Sequence, residues 1–151
     1  MSTANHSAEA PAPSTLVQQA MQLHQQGRLD DAAQLYGQVP DSDPLRADAL
    51  HLHGVLCAQR RQFEQAHALI WQAVALKPDE AMFHNNLANV CVERGMPKEA
   101  EALYVRAIEL DGTRLDALNN LGLLHGRTGR PDDAERLLRR AVELAPDNAD
   151  F

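Results

Sequence analysis

What this 151-residue chain has little of narrows the reading first. Positive charge is scarce: 14 Lys and Arg stand against 21 Asp and Glu, a formal net charge of −7. Nucleic-acid backbones and anionic membranes attract basic surfaces, so neither is expected as a partner. Aromatic residues are 4 % of the chain, so its 44 % apolar content is carried largely by Ala and Leu. That balance favours helices whose backbones approach closely. Two cysteines, Cys57 and Cys91, are too few for a disulfide framework. No apolar run approaches the ~20 residues of a membrane-spanning helix. The N-terminal MSTANHSAEAPAPST has no basic segment followed by an apolar one, so it does not read as a secretory signal. Cytoplasmic residence is the expectation. Catalytic signatures are missing too: no Gly-rich loop after a strand, no nucleophile elbow and no HExxH. The chain is therefore expected to be non-catalytic and to need no cofactor.

What is there is a period. From Pro13 the sequence repeats every 34 residues, as 13–46, 47–80, 81–114 and 115–148, with no insertion or deletion. Residues 1–13 are small, polar and rich in Pro and Ala, the composition of a disordered tail. Position 8 of the period holds Ala20, Gly54, Ala88 and Gly122, and position 20 holds Ala32, Ala66, Ala100 and Ala134. Position 27 holds Val39, Ala73, Ala107 and Ala141, and position 32 holds Pro44, Pro78, Gly112 and Pro146.

Within each period the apolar residues follow helical spacing over two segments. In the second repeat, Leu50, His53, Gly54 and Cys57 share one helix face; Ala66, Leu69, Ile70, Ala73 and Val74 share another. Gly27, Gly95 and Gly129 mark the turn between the segments. Arg61 stands there in the second repeat, so that turn is expected to avoid the left-handed conformation. Pro97 and Pro131 fall where a second helix begins and a missing N–H costs little. In the first repeat Pro40 follows Val39, so that second helix is expected to end early. Positions 8 and 20 are expected to face each other across the helix pair, where a larger side chain would force the axes apart.

Over residues 13–148 this pattern resembles the tetratricopeptide repeat. The resemblance implies an all-α, right-handed solenoid of antiparallel helix pairs over 14–148, with the first helices lining a concave groove. It implies a protein–protein interaction scaffold that binds an extended peptide or a helix of a partner there. Carried over position by position, the expected groove residues are His51, Leu52, Val55, Met82, Asn85, Asn86, Asn89, Asn119, Asn120, Leu123 and Arg127. Asn is an indifferent helix former, so five on two first helices point to another use. An amide side chain offers both donor and acceptor, which suits a peptide backbone. The pair Asn86 and Asn120 resembles the asparagine ladder of bacterial arrays that precede protein O-glycosyltransferase domains. A substrate-recruiting segment of a longer enzyme of that kind is the alternative reading. The lysines that would clamp a carboxylate terminus are not in the groove; Arg127 is its one cation.

Two further expectations concern the end of the array and the thiols. Ala149-Asp150-Phe151 starts a further repeat or forms a stub. The last helix is therefore expected to leave Leu137, Leu138, Ala141 and Leu144 partly uncovered, for a longer chain or for self-association. His53 and Cys57 share one helix face, and His84 and Cys91 lie on the next first helix, a mixed set of zinc-ligand type. Their repeat positions are packing positions, so no metal is expected.

Overall fold

The computed structural model describes residues 13–146; the expected disordered tail and the stub at 149–151 lie outside the described residues. Among the described residues there are eight α-helices and no strand. They are α1 (Pro13–Gln25), α2 (Leu29–Gln38), α3 (Arg46–Gln59), α4 (Phe63–Leu76), α5 (Ala81–Glu93), α6 (Pro97–Leu110), α7 (Leu115–Arg127) and α8 (Pro131–Leu144). Each odd helix packs on the next even one, and each even helix on the next odd one, which makes an all-α solenoid.

The interior is continuous because inner helices are apolar on two sides. On α3, Ala49 and Leu56 join Val17, Ala20, Ala32 and Tyr36 of the first repeat. Leu50 and Cys57, on the other side of α3, join the larger core that runs through Ile70, Phe83, Leu87 and Cys91 to Leu121 and Leu124. Charged residues instead cover much of α8. Arg139 pairs with Glu135, and Arg136 pairs with Asp133.

Close approach within a pair is set at position 8. A Cβ added to Gly54 would lie 2.5 Å from Ile70 Cγ1 and 3.1 Å from the Ala66 carbonyl oxygen. A Cβ added to Gly122 would lie 3.0 Å from Leu138 Cδ2 and Cγ. By repeat position, Ala20 and Ala88 stand opposite Tyr36 and Tyr104 instead. So a branched side chain on the second helix goes with Gly on the first, and a planar ring goes with Ala. Ala32, Ala66 and Ala100 at position 20 have no exposed surface.

The turns follow the expected stops, with one correction. Gly27, Gly95 and Gly129 take φ of 75°, 72° and 78°. Arg61 was expected to avoid that region, yet its φ is 60°. Its N–H bonds the Ala58 carbonyl and that of Gln62 bonds the Cys57 carbonyl, the same closure used at Gly95 and Met96. Helix packing thus imposes the turn, and the residue bears about 1–2 kcal/mol of left-handed strain. The Arg61 guanidinium lies 5.4 Å from the centre of the Phe63 ring, a contact that offsets part of it. In the first repeat α2 has 10 residues where α4, α6 and α8 have 14, as Pro40 predicts. Asp43 then closes the loop by accepting the Leu45 N–H at 2.7 Å.

Two stability measurements check these contacts. Gly54→Ala should lower stability by about 1–3 kcal/mol through overpacking. Gly126→Ala, with nothing within 4 Å of the added carbon, should raise it by about 0.5–1 kcal/mol. Equal effects of the two in denaturant melts would refute the close-approach reading. Arg61→Gly should gain up to about 1 kcal/mol, the relief of strain less the lost ring contact; a lower midpoint in the same melts would refute the strain.

Candidate functional site: the face of the first helices

The first helices place their repeat positions unequally. Positions 6 and 9 look outward: Asn86, Asn89, Asn120 and Val55 are half-buried, and Leu123 is exposed. Position 5 turns inward, between one first helix and the next. His51 and Asn85 are each 2 % exposed, so neither side chain presents itself to the groove, contrary to expectation. Asn119, at the same position of the last repeat, is only half-buried, and no further first helix follows α7 among the described residues. Leu52 packs against the core of the first repeat, and Met82 and Arg127 are exposed.

The asparagines bond mainly to one another and to their neighbours. Asn86 Nδ2 donates to His51 Nε2 at 2.9 Å. Asn85 Nδ2 donates to Asp116 at 3.1 Å and lies 3.4 Å from Asn86 Oδ1. Asn120 Nδ2 donates to Asn89 Oδ1 at 3.1 Å and lies 3.5 Å from Asn85 Oδ1. Tyr104 Oη donates to the same Asn89 oxygen at 2.6 Å. The result is a polar seam across α3, α5 and α7. The ladder expected to hold a peptide is thus partly engaged within the protein. The Asn89 amide N–H groups and the Asn120 carbonyl oxygen take no part in these bonds.

His51 anchors the seam. Its ring stacks on Phe83, with centroids 4.4 Å apart and planes at 22°. Burial, helped by the Arg114 charge, pushes the imidazole down to about 4 against the pull of Asp48. The ring is therefore neutral at pH 7 and accepts the Asn86 amide. Burial pushes Tyr104 up to about 12, which keeps its hydroxyl a donor.

Two clefts open on this face, one period apart. The first, of about 400 Å³, is lined by Val55, Ala58, Gln59, Arg61, Phe63, Ile70, Asn86, Asn89, Val90 and Glu93. The second, of about 270 Å³, is lined by Asn89, Val92, Glu93, Tyr104, Asn120, Leu123, Leu124 and Arg127. Shifting the lining of the first by 34 residues gives Asn89, Val92, Glu93, Arg127, Asn120 and Leu124 from Val55, Ala58, Gln59, Glu93, Asn86 and Val90. Of the expected residues, the structure gathers Val55, Asn86 and Asn89 in one cleft and Asn89, Asn120, Leu123 and Arg127 in the other. Phe63 and Tyr104 were missed because they belong to second helices. Tyr104 could have been suspected as an aromatic with a polar tip at a core position.

The expected uncovered edge is also redrawn. Ala141 has no exposed surface, so its own repeat buries it and it takes no part. Leu137 packs against the main core, and Leu144 is 44 % exposed. The open face is instead a cleft of about 730 Å³ lined by Asn119, Leu123, Gly126, Leu138 and Val142, among others.

Comparison with known proteins gives one family. Two family models, each described as Tetratricopeptide repeat, match residues 79–147 and 13–38. No curated protein sequence matches. Among solved structures, that of MamA aligns over 92 % of this chain and 81 % of its own, with TM-score 0.82 and 21 % identity. YrrB, described as a TPR protein with an unusual peptide-binding site, aligns over 91 % of this chain and 71 % of its own, with TM-score 0.76 and 18 % identity. A tetratricopeptide repeat protein from Parabacteroides merdae aligns over 91 % and 55 %, with TM-score 0.82 and 17 % identity. At these identities the likeness is one of fold, and it does not carry the likeness to glycosyltransferase-linked arrays. Among the described residues no helix is long and apolar enough to cross a membrane.

The buried imidazole yields a pH dependence. An unfolded chain protonates His51 below about 6.5, whereas the folded one does so only near 4. The unfolded state then binds more protons in between, so stability falls as pH drops through that window. Between pH 7 and 5 the loss through this residue should be about 2 kcal/mol. His51→Asn, the residue type of Asn85 and Asn119, should remove that increment in denaturant titrations at the two pH values. An unchanged difference between pH 7 and 5 would refute it.

Proposed function

The chain belongs to the tetratricopeptide repeat family, and from that premise we propose that it is a protein-interaction scaffold holding an extended segment of a partner along α3, α5 and α7. The observation that carries this reading is the recurrence of one cleft after 34 residues, with Asn89 and Glu93 shared by both copies. An extended peptide offers side chains at regular intervals, and a repeated cleft offers receptors at regular intervals.

The linings set the chemistry. Val55, Ala58 and Ile70 give the first cleft an apolar wall; Val92, Leu123 and Leu124 do the same for the second. Glu93 lies between, with Arg61 in the first cleft and Arg127 in the second. The segment that fits has two apolar side chains with a basic or amide side chain between them. Asn89 and Asn120 can bond its backbone with the groups left over from the seam.

Magnitudes set the affinity. Two fully buried apolar side chains give about 1.5–3 kcal/mol each. Two net hydrogen bonds add about 0.5–1.5 kcal/mol each. The gross sum, about 4–9 kcal/mol, barely reaches the 8.2 kcal/mol or so of a micromolar complex. Short segments should therefore bind at micromolar Kd or weaker, and longer ones by contacting more repeats.

The test is selection of a binding peptide from a displayed library, followed by calorimetry. Val55→Asp and Leu123→Asp should each weaken the selected peptide at least tenfold. Val105→Asp, on the second-helix surface, should not. Peptides that bind both groove variants as tightly as the wild type would overturn the placement.

A further inference from the structure

One cluster of ligand-bearing side chains lies away from the groove. His67 on α4, Cys91 on α5 and Glu99 on α6 bring a ring nitrogen, a thiol sulfur and a carboxylate oxygen within 4.8 Å of one another. His67 Nε2 and Glu99 Oε1 are 3.3 Å apart. Cys91 has no exposed surface, while the side chains of His67 and Glu99 are 22 % and 36 % exposed. The cluster therefore has a fixed buried corner and two movable ones at the surface. None of the three belongs to the clefts of the first-helix face.

We propose that His67, Cys91 and Glu99 form a three-ligand site for a borderline divalent transition metal, zinc in the first instance. The donor set decides the class. Imidazole with thiolate excludes the hard cations that need oxygen cages, and a mixed N, S and O set suits zinc. Bonds of about 2.0–2.1 Å to nitrogen and oxygen and 2.3 Å to sulfur place tetrahedral ligand atoms about 3.3–3.6 Å apart. The His67–Glu99 separation already meets that. Rotation of those two partly exposed side chains brings the rest into range around Cys91. Charge also balances: one thiolate and one carboxylate neutralise a divalent ion, which matters at a buried corner. Three protein ligands leave a fourth tetrahedral position for water.

The repeat itself supplies the control. The three residues occupy position 11 of the third repeat, position 21 of the second and position 19 of the third. One period earlier the same places hold Cys57, Ala33 and Gln65, so the other buried thiol has no ligand partners there. One period later they hold His125, Glu101 and Asp133. There Arg130 takes both Glu101 oxygens, at 2.8 and 2.7 Å, and holds that carboxyl below its usual range. The node thus has a thiol without ligand partners at one junction, an arginine-held carboxylate at another, and the His67, Cys91 and Glu99 cluster between them.

Binding must release a proton. Burial, first, and the adjoining Glu99 push the Cys91 thiol up to about 11. A coordinated thiol is deprotonated outright, so affinity should rise with pH. Without metal, Glu99 is the hydrogen-bond partner of His67.

The full chain, free of any histidine tag and stripped with chelator, is titrated with Co²⁺ and then with Zn²⁺. One equivalent of Co²⁺ should give a thiolate-to-cobalt charge-transfer band with tetrahedral visible bands, and Zn²⁺ should displace it. Cys57→Ser should keep the signal and Cys91→Ser should lose it. His67→Ala and Glu99→Gln, at the partly exposed corners, should weaken binding at least tenfold while leaving the helical circular dichroism intact. These two variants decide the matter if Cys91→Ser fails to fold. No charge-transfer band, a band that survives in folded Cys91→Ser, or unchanged affinity in both corner variants would overturn the site.

Discussion

The structure depends on how closely the two helices of a repeat can approach. At Gly54 the space for a single methyl is already taken by Ile70, and at Gly122 by Leu138. Where the second helix brings a branched side chain there, the first helix has none, and where it brings a tyrosine ring the first has only a methyl. That approach buries position 20 and position 27 in all four repeats, including the last, where no described helix follows. It also fixes the turn. The φ of Arg61 matches that of the three glycines because the helix pair dictates the turn and the residue conforms to it. Tertiary packing here overrides a local preference of about 1–2 kcal/mol.

Between repeats the contacts are more varied. Apolar packing joins the first repeat to the second through α3. From the second to the fourth, a line of polar side chains runs beside it, from His51 through the asparagines to Asp116 and Tyr104. Hydrogen bonds of this kind are directional and must be satisfied once they are partly buried. They hold successive first helices in register while using much of the hydrogen-bonding capacity that a bound peptide would need. Binding and packing thus draw on the same amides, which is why the proposed groove relies on apolar clefts and weak affinity.

Equivalent places in successive repeats have taken different chemistry on one backbone. The place that holds Cys57, Cys91 and His125 is core at the first junction, a donor cluster at the second and the edge of an ion pair at the third. A solenoid permits this because each junction touches only its neighbours.

The amino-acid sequence alone determined the period, the helix pairs, the turn positions and the early end of α2, because small residues, Gly and Pro act locally and recur at fixed spacing. The all-α solenoid followed from the tetratricopeptide resemblance that this pattern carries. The tertiary structure decided which side of each first helix is free. Asn85 and His51 share their repeat position with Asn119, but only a neighbouring helix turns that position inward. It decided that Ala141 is covered and that Leu138 and Val142 line the open face, which helical spacing on a single strand of text does not separate. It also decided which residues meet Cys91. His67 is 24 residues before it and Glu99 is 8 after, on two other helices. No local pattern links them, because distance between side chains on different helices is set by packing and not by spacing along the chain.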